Sequence, residues 1–270
     1  MGYQPNSFVN DQGFIITEVS IRKISSQFEQ VVNLTIKGIE SQLGSYIHSI
    51  YVYGSVVAGR AIIEKSDLDV LVVFKELPDE QIVKQIDELA QGLSQTFKEK
   101  VRDVGLVYTY LEEIREGPES LGLKVFLKHL CVCLYGDDLS VEYPCYKPTK
   151  RVAAALNGDA PDVLKRLWKK YSDSQRVQDK VQIQRSIARK IICTGACFAS
   201  AKHGVWATDR GDMARLFMYC YPNKTKQIKI ALFASDEHKK VSSEQIEILK
   251  SLSEWVSEQA THVFGEYRKN

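Results

Sequence analysis

The run Ile50-Tyr51-Val52-Tyr53-Gly54-Ser55, followed eleven residues after Ser55 by Ser66-Asp67-Leu68-Asp69-Val70-Leu71-Val72-Val73-Phe74, decides the fold and points to the chemistry. Both halves are short β-branched and aromatic runs of the kind that form strands. The first stops at a glycine, and two aspartates open the second, which is otherwise apolar. On a strand, side chains at i and i+2 share a face with Cα atoms roughly 6.5 to 7 Å apart, so Asp67 and Asp69 can converge on one point. Two like charges beside a buried strand are costly unless a cation sits between them, and hard oxygen ligands select Mg2+ or Mn2+. Gly54 lets the backbone approach a ligand, and the helix start expected after it, with the Ser55 hydroxyl, makes an anion site. A lone Asp-x-Asp pair more often marks a solvated turn. The glycine-serine turn and the apolar strand beside it favour metal-assisted phosphoryl or nucleotidyl transfer instead.

Outward from this centre, strand patterns cover Ile47 to Tyr53, Leu68 to Phe74, Val101 to Thr109 and Leu130 to Tyr135. Apolar residues from Ile21 to Leu43 recur at steps of three and four, predicting a helix over 19–43 that ends at Gly44. A second helix is predicted over 82–97 behind a Pro78-Asp79 start. After Gly136 the strand signal stops, and a loop with Pro144 and Pro148 leads to helical patterns around 161–172, 179–203, 210–219, 225–234 and 242–265. The fold class expected is α+β, with a mixed αβ domain over 1–146 and an all-α helical bundle over 147–270. Asp103, the acid inside the third strand pattern, is the candidate third carboxylate, either ligating a metal or taking the proton of an acceptor hydroxyl. Glu112 and Glu113 compete for that role, and an exposed edge-strand acid is the plainer reading of Asp103.

The composition, 44% hydrophobic and 26% charged over 270 residues, is that of a folded protein with a real core. A net charge of +2 excludes a strongly basic nucleic-acid coat or an acidic tail for the chain as a whole. It averages unlike regions, because Lys147 to Lys190 holds 12 Lys and Arg against 4 Asp, a local +8. Within it Arg185 and Arg189 stand four apart on one helix face, where like charges repel unless an anion joins them. Six cysteines without CxxC spacing, in a chain with no signal-like start, are expected to be reduced thiols of a cytoplasmic protein. The longest low-charge apolar run, Ile191 to Ala201, is about half of the roughly 20 residues a membrane span needs. Nucleophile-elbow, Walker and dinucleotide-binding patterns are missing. Trp206 is a candidate for stacking on a base or lining an acceptor cleft.

Gly54-Ser55, Ser66-Asp67-Leu68-Asp69, the acid of the next strand and the closing Leu134-Tyr135-Gly136-Asp137-Asp138-Leu139 together resemble the DNA polymerase beta-like nucleotidyltransferase superfamily, over about residues 45 to 140. The helical half is similar to the C-terminal bundle of the aminoglycoside nucleotidyltransferases. The resemblance implies a nucleotidyltransferase domain with a small mixed sheet flanked by helices, then a bundle contacting acceptor and nucleotide phosphates. It implies two Mg2+ ions, replaceable by Mn2+, on the catalytic residues Asp67, Asp69 and Asp103, and nucleotide contacts from Gly54, Ser55, Ser66, Arg189, Lys202 and Arg210. The expected reaction moves a nucleoside monophosphate, AMP from ATP, to a hydroxyl of a small acceptor such as an antibiotic and releases pyrophosphate. The expected partners are an NTP and that acceptor, with no membrane and with nucleic acid a less favoured acceptor. A protein- or tRNA-adenylylating enzyme, or an impaired nucleotide-binding module, is the alternative. There is one departure. A glutamate two residues into the third strand serves as base in the antibiotic-modifying branch, and one alignment puts Gly105 there.

Overall fold

The computed structural model describes residues 8–236 and 241–267. They fall into two compact units, residues 17–145 and residues 8–16 together with 146–267.

In the first unit the apolar stripe of 19–43 folds as a 3-10 turn, Ile21–Lys23, and helix α1, Ser26–Leu43, closed by Gly44. Strand β1, Ile47–Tyr53, and strand β2, Leu68–Phe74, pair antiparallel. Helix α2, Glu80–Thr96, begins on Asp79, whose side chain accepts from the Ile82 N–H and satisfies one of the helix's orphan donors. Strand β3, Val104–Tyr110, lies parallel to β2, and strand β4, Cys131–Gly136, pairs antiparallel with β1. The sheet order is therefore β3-β2-β1-β4, mixed as expected.

Alternation along the strands explains why β2 is apolar throughout. Val70, Val72 and Phe74 pack with Ile50 and Val52 of β1 against Phe28, Val32 and Ile36 of α1 and Ile86 of α2. Leu71, Val73 and Tyr51 turn to the other face, covered by Ile114 and Leu127. These two residues belong to helix α3, Leu111–Glu116, and helix α4, Ser120–Leu130, which no sequence periodicity announced. Burying both faces of a central strand contributes about 1.5–3 kcal/mol for each large apolar side chain, which fixes the strand's register and so the position of the aspartates at its start.

The second unit is helical. It comprises α5, Lys150–Asn157; α6, Ala160–Asp173; α7, Val177–His203; α8, Arg210–Cys220; α9, Thr225–Ala234; and α10, Ser243–Phe264. Helix α7 supplies the centre of its core, Ile187, Ile191, Ile192 and Phe198, against Phe217, Leu249, Leu252 and Val256. A reciprocal Ser242–Gln245 capping box starts α10, and the Trp168 indole donates to Ser253 Oγ at 2.9 Å. Residues 8–16, assigned to the first domain by their place in the sequence, group with this unit instead. The Phe8 N–H donates to the Trp206 carbonyl at 3.0 Å and the Ile15 N–H to that of Tyr146 at 2.8 Å. Among the described residues no helix is long and apolar enough to cross a membrane.

Candidate active site

Asp69 is the second residue of β2 and Asp67 the residue just before it. Alternation puts Asp69 on the face of Leu71 and Val73, opposite α1 and α2. Its register partners are Tyr53 on β1 and Gly105 on β3. Next to Tyr53 the backbone reverses at Gly54, which has φ +75, the left-handed region where glycine carries no Cβ penalty. A Cβ at Gly54 would stand 2.5 Å from Asp69 Oδ2, and one at Gly105 would stand 3.6 Å from Asp69 Oδ1. Two glycines thus flank the Asp69 carboxylate and leave it approachable.

The helix expected after Gly54 is not formed. Residues 54–59 are successive turns, with one α-type bond from the Ala58 N–H to the Gly54 carbonyl at 3.2 Å and a longer-range one from Arg60 to Ser55 at 2.9 Å. Gly59, at φ +71, ends the segment before a regular helix can propagate. Ser55 is half-buried in this turn. The Ser66 hydroxyl accepts from the Ile62 N–H at 2.9 Å and, with the Ser66 N–H bonded to the Ile62 carbonyl at 2.9 Å, closes the turn that delivers the chain to Asp67.

Arg102 is the neighbour that strand spacing did not reveal. Its guanidinium pairs with Asp67 Oδ2, and its Nη1 reaches the Lys65 carbonyl at 3.4 Å. The signal was present as a cation at the start of the third strand pattern, but only the parallel β2–β3 register brings it to Asp67. Tyr53 presents a phenol to the same place. Burial, then the charges of Asp69, Cys131 and Asp67, push its pKa up, so it stays protonated. Its ring meets Phe126 of α4 edge to face, centroids 4.9 Å apart.

Asp103 is not brought to this pair. β3 begins at Val104, so Asp103 precedes the strand it was expected to lie in. Its Oδ1 accepts from Ser94 Oγ of α2 at 2.5 Å and from the Val104 N–H at 3.1 Å, tying α2 to the strand start. Among the described residues no group of three His, Cys, Asp or Glu side chains is placed to hold a metal ion. The reason is the register, which sets Gly105 beside Asp69. Of the competing acids, Glu113 accepts from the Tyr110 hydroxyl at 3.3 Å and Glu112 is exposed. Asp67 and Asp69 alone still suit Mg2+, which is commonly held by one or two carboxylates with waters and substrate phosphates completing its shell.

Residues 35–125 match the family model of the nucleotidyltransferase domain. The first unit carries a nucleotidyltransferase domain. With that domain the protein is an enzyme of the transferase class, as its motifs indicated, and the domain lies on the mixed sheet. In fold, the chain is similar to the crystal structure of spectinomycin adenyltransferase AAD(9) from Enterococcus faecialis with ATP and spectinomycin. The TM-score is 0.56 at 15% identity, over 86% of this chain and 98% of that one. No curated protein matches the sequence.

The remaining candidate residues named from the sequence lie in the helical unit. The charges of Arg189 of α7 and Arg210 of α8 both act on the half-buried Cys193 thiol, whose pKa burial raises and these charges lower. Arg210 Nη1 donates to the Ser235 carbonyl at 2.6 Å, joining α8 to the end of α9. Lys202 is exposed in the last turn of α7, thirteen residues and about 20 Å along the axis from Arg189. Trp206 is buried, 5% exposed, and offers no open face for stacking.

Proposed function

We propose that the protein is a cytoplasmic, divalent-cation-dependent nucleotidyltransferase that moves AMP from ATP to a hydroxyl of a small-molecule acceptor such as an antibiotic. The observation that carries this reading is the Asp69 carboxylate between Gly54 and Gly105, with Asp67 beside it at the strand start. ATP and a small acceptor are supported by the similar adenyltransferase, whose structure holds ATP and spectinomycin. A reducing compartment is supported by six free cysteines, one of them, Cys145, exposed.

In this proposal Asp67 and Asp69 hold Mg2+, with Mn2+ as a substitute. When bound, the cation neutralises triphosphate charge and favours in-line displacement. The turn at Gly54 and Ser55 binds the outer phosphates, Gly54 by admitting them close to the backbone and Ser55 by its hydroxyl. Ser66 sets the approach of Asp67 through its turn. Tyr53, kept protonated, supplies a neutral donor beside the carboxylates. Arg189, Lys202 and Arg210 are assigned phosphate contacts by resemblance of the helical half. In the reaction the acceptor oxygen bonds to the α-phosphorus, the bond to pyrophosphate breaks, and the acceptor's hydroxyl proton passes to solvent water.

Pyrophosphate release from each NTP with Mg2+, over aminoglycoside, lincosamide, protein and tRNA acceptors, tests this, with Asp67→Ala as control. Turnover with a small acceptor, lost in Asp67→Ala, is expected. Absence of both NTP binding and turnover across the panel overturns the proposal. A second reading, with a protein or tRNA acceptor, draws on the +8 stretch between Lys147 and Lys190 and is marked by label from ATP entering the macromolecule.

A further inference from the structure

This inference rests on the cation-dependent reading above and concerns how many ions the site holds. Three observations meet at Asp67 and Asp69. First, the parallel pairing of β2 and β3 continues beyond the start of both strands. The Arg102 N–H donates to the Ser66 carbonyl at 3.0 Å and the Leu68 N–H to that of Asp103 at 2.9 Å. This lays the Arg102 side chain across to Asp67, where its guanidinium holds Oδ2, with side-chain exposures of only 31% and 21%. Second, the β3 residue in register with Asp69 is Gly105, which brings no carboxylate. Third, Asp103, the acid two residues before Gly105, is turned onto Ser94.

The two carboxylates and the guanidinium held on Asp67 together carry a net −1. Two divalent ions about 4 Å apart repel strongly and need several carboxylates, some bridging, to stay together. A net −1 is suited to one divalent ion arriving with a triphosphate. A guanidinium, always charged and forked, is the side chain best able to stand permanently on a carboxylate. We propose that Arg102 takes the place of the second cation, so that the site binds a single divalent ion on Asp69 and Asp67 while Arg102 remains the fixed positive charge on Asp67.

The test is Mn2+ titration of the full chain, followed by the resonance of free Mn2+, with and without a non-hydrolysable ATP analogue. Wild type is expected to bind one Mn2+ per chain with the analogue present. Arg102→Gln removes the fixed charge and is expected to tighten nucleotide-free Mn2+ binding about fivefold or more, the scale of a partly exposed ion pair. Arg102→Lys, which keeps the charge, is expected to bind Mn2+ within about twofold of wild type. Two Mn2+ ions on wild type overturn the proposal, and this stoichiometry decides even if Arg102→Gln does not fold. Equal Mn2+ affinity in wild type and a folded Arg102→Gln overturns it too. If the analogue binds but no form binds Mn2+, it is the cation-dependent reading that fails instead.

Discussion

Gly54 and Asp69 leave no room between them for a methyl group, because a Cβ on Gly54 would stand 2.5 Å from Asp69 Oδ2. Gly54→Ala is therefore expected to push the carboxylate aside and to strain a backbone at φ +75. The strain costs about 1–2 kcal/mol of stability, while pyrophosphate release falls about a hundredfold or more, on the scale of losing one preorganised electrostatic contact. Thermal unfolding and kcat measured on the same preparation separate the two effects. A variant with wild-type kcat shows that Gly54 is only a turn residue.

Asp69 and Asp103 are expected to respond differently to the same change. Asp69→Asn should abolish Mn2+ binding in the presence of an ATP analogue. Asp103→Asn loses part of the tie to Ser94 and Val104, should cost no more than about 1 kcal/mol, and should leave Mn2+ affinity within about twofold. Loss of Mn2+ in a folded Asp103→Asn restores Asp103 as a ligand.

His129, 1% exposed, shares a 3.1 Å hydrogen bond between its Nδ1 and the Thr17 hydroxyl. Burial, and then the charge of Lys128, lower its pKa from 6.5 to about 4. The folded state thus keeps the ring neutral while the unfolded chain takes up a proton below pH 6.5. Stability from this group is whole above that pH and is lost as pH falls towards 4, by up to about 3 kcal/mol. Denaturant midpoints from pH 8 to 4 should fall more steeply in wild type than in His129→Gln. Parallel curves exclude His129 as the source.

Gly195 lies where α7 meets α8, and an added Cβ would stand 2.1 Å from Cδ1 of the buried Phe217 ring. Alanine is the better helix former by about 1 kcal/mol, yet Gly195→Ala should destabilise the protein by about 1–3 kcal/mol through overpacking. Phe217→Leu in the same chain should restore part of that loss. A Gly195→Ala chain more stable than wild type means the ring can step aside.

The strands that carry the aspartates were legible because strong local signals bound them. β1 and β2 occupy the residues their apolar runs mark, one stopped by Gly54 and the other opened by Asp67. Helix α4 was not legible because it runs into β4 at Leu130–Cys131 with no turn residue between, so its apolar positions merged with the strand's. Helix α3, six residues directly after β3, is too short to display a period. In the site, the closeness of Gly54, Asp67 and Asp69 follows from spacing along one or two strands. The positions of Arg102 and Asp103 follow from which residues of β3 lie level with those of β2, a fact of pairing that neither strand carries alone.

The bond from the Ile15 N–H to the Tyr146 carbonyl, 2.8 Å long, joins residues at the two points where the chain leaves and re-enters the helical unit. Residues 17–145 are thus an insertion whose entry and exit adjoin. Close ends of this kind are the usual condition under which one module is exchanged for another, or excised and bridged by a short linker, at small cost to the rest of a chain.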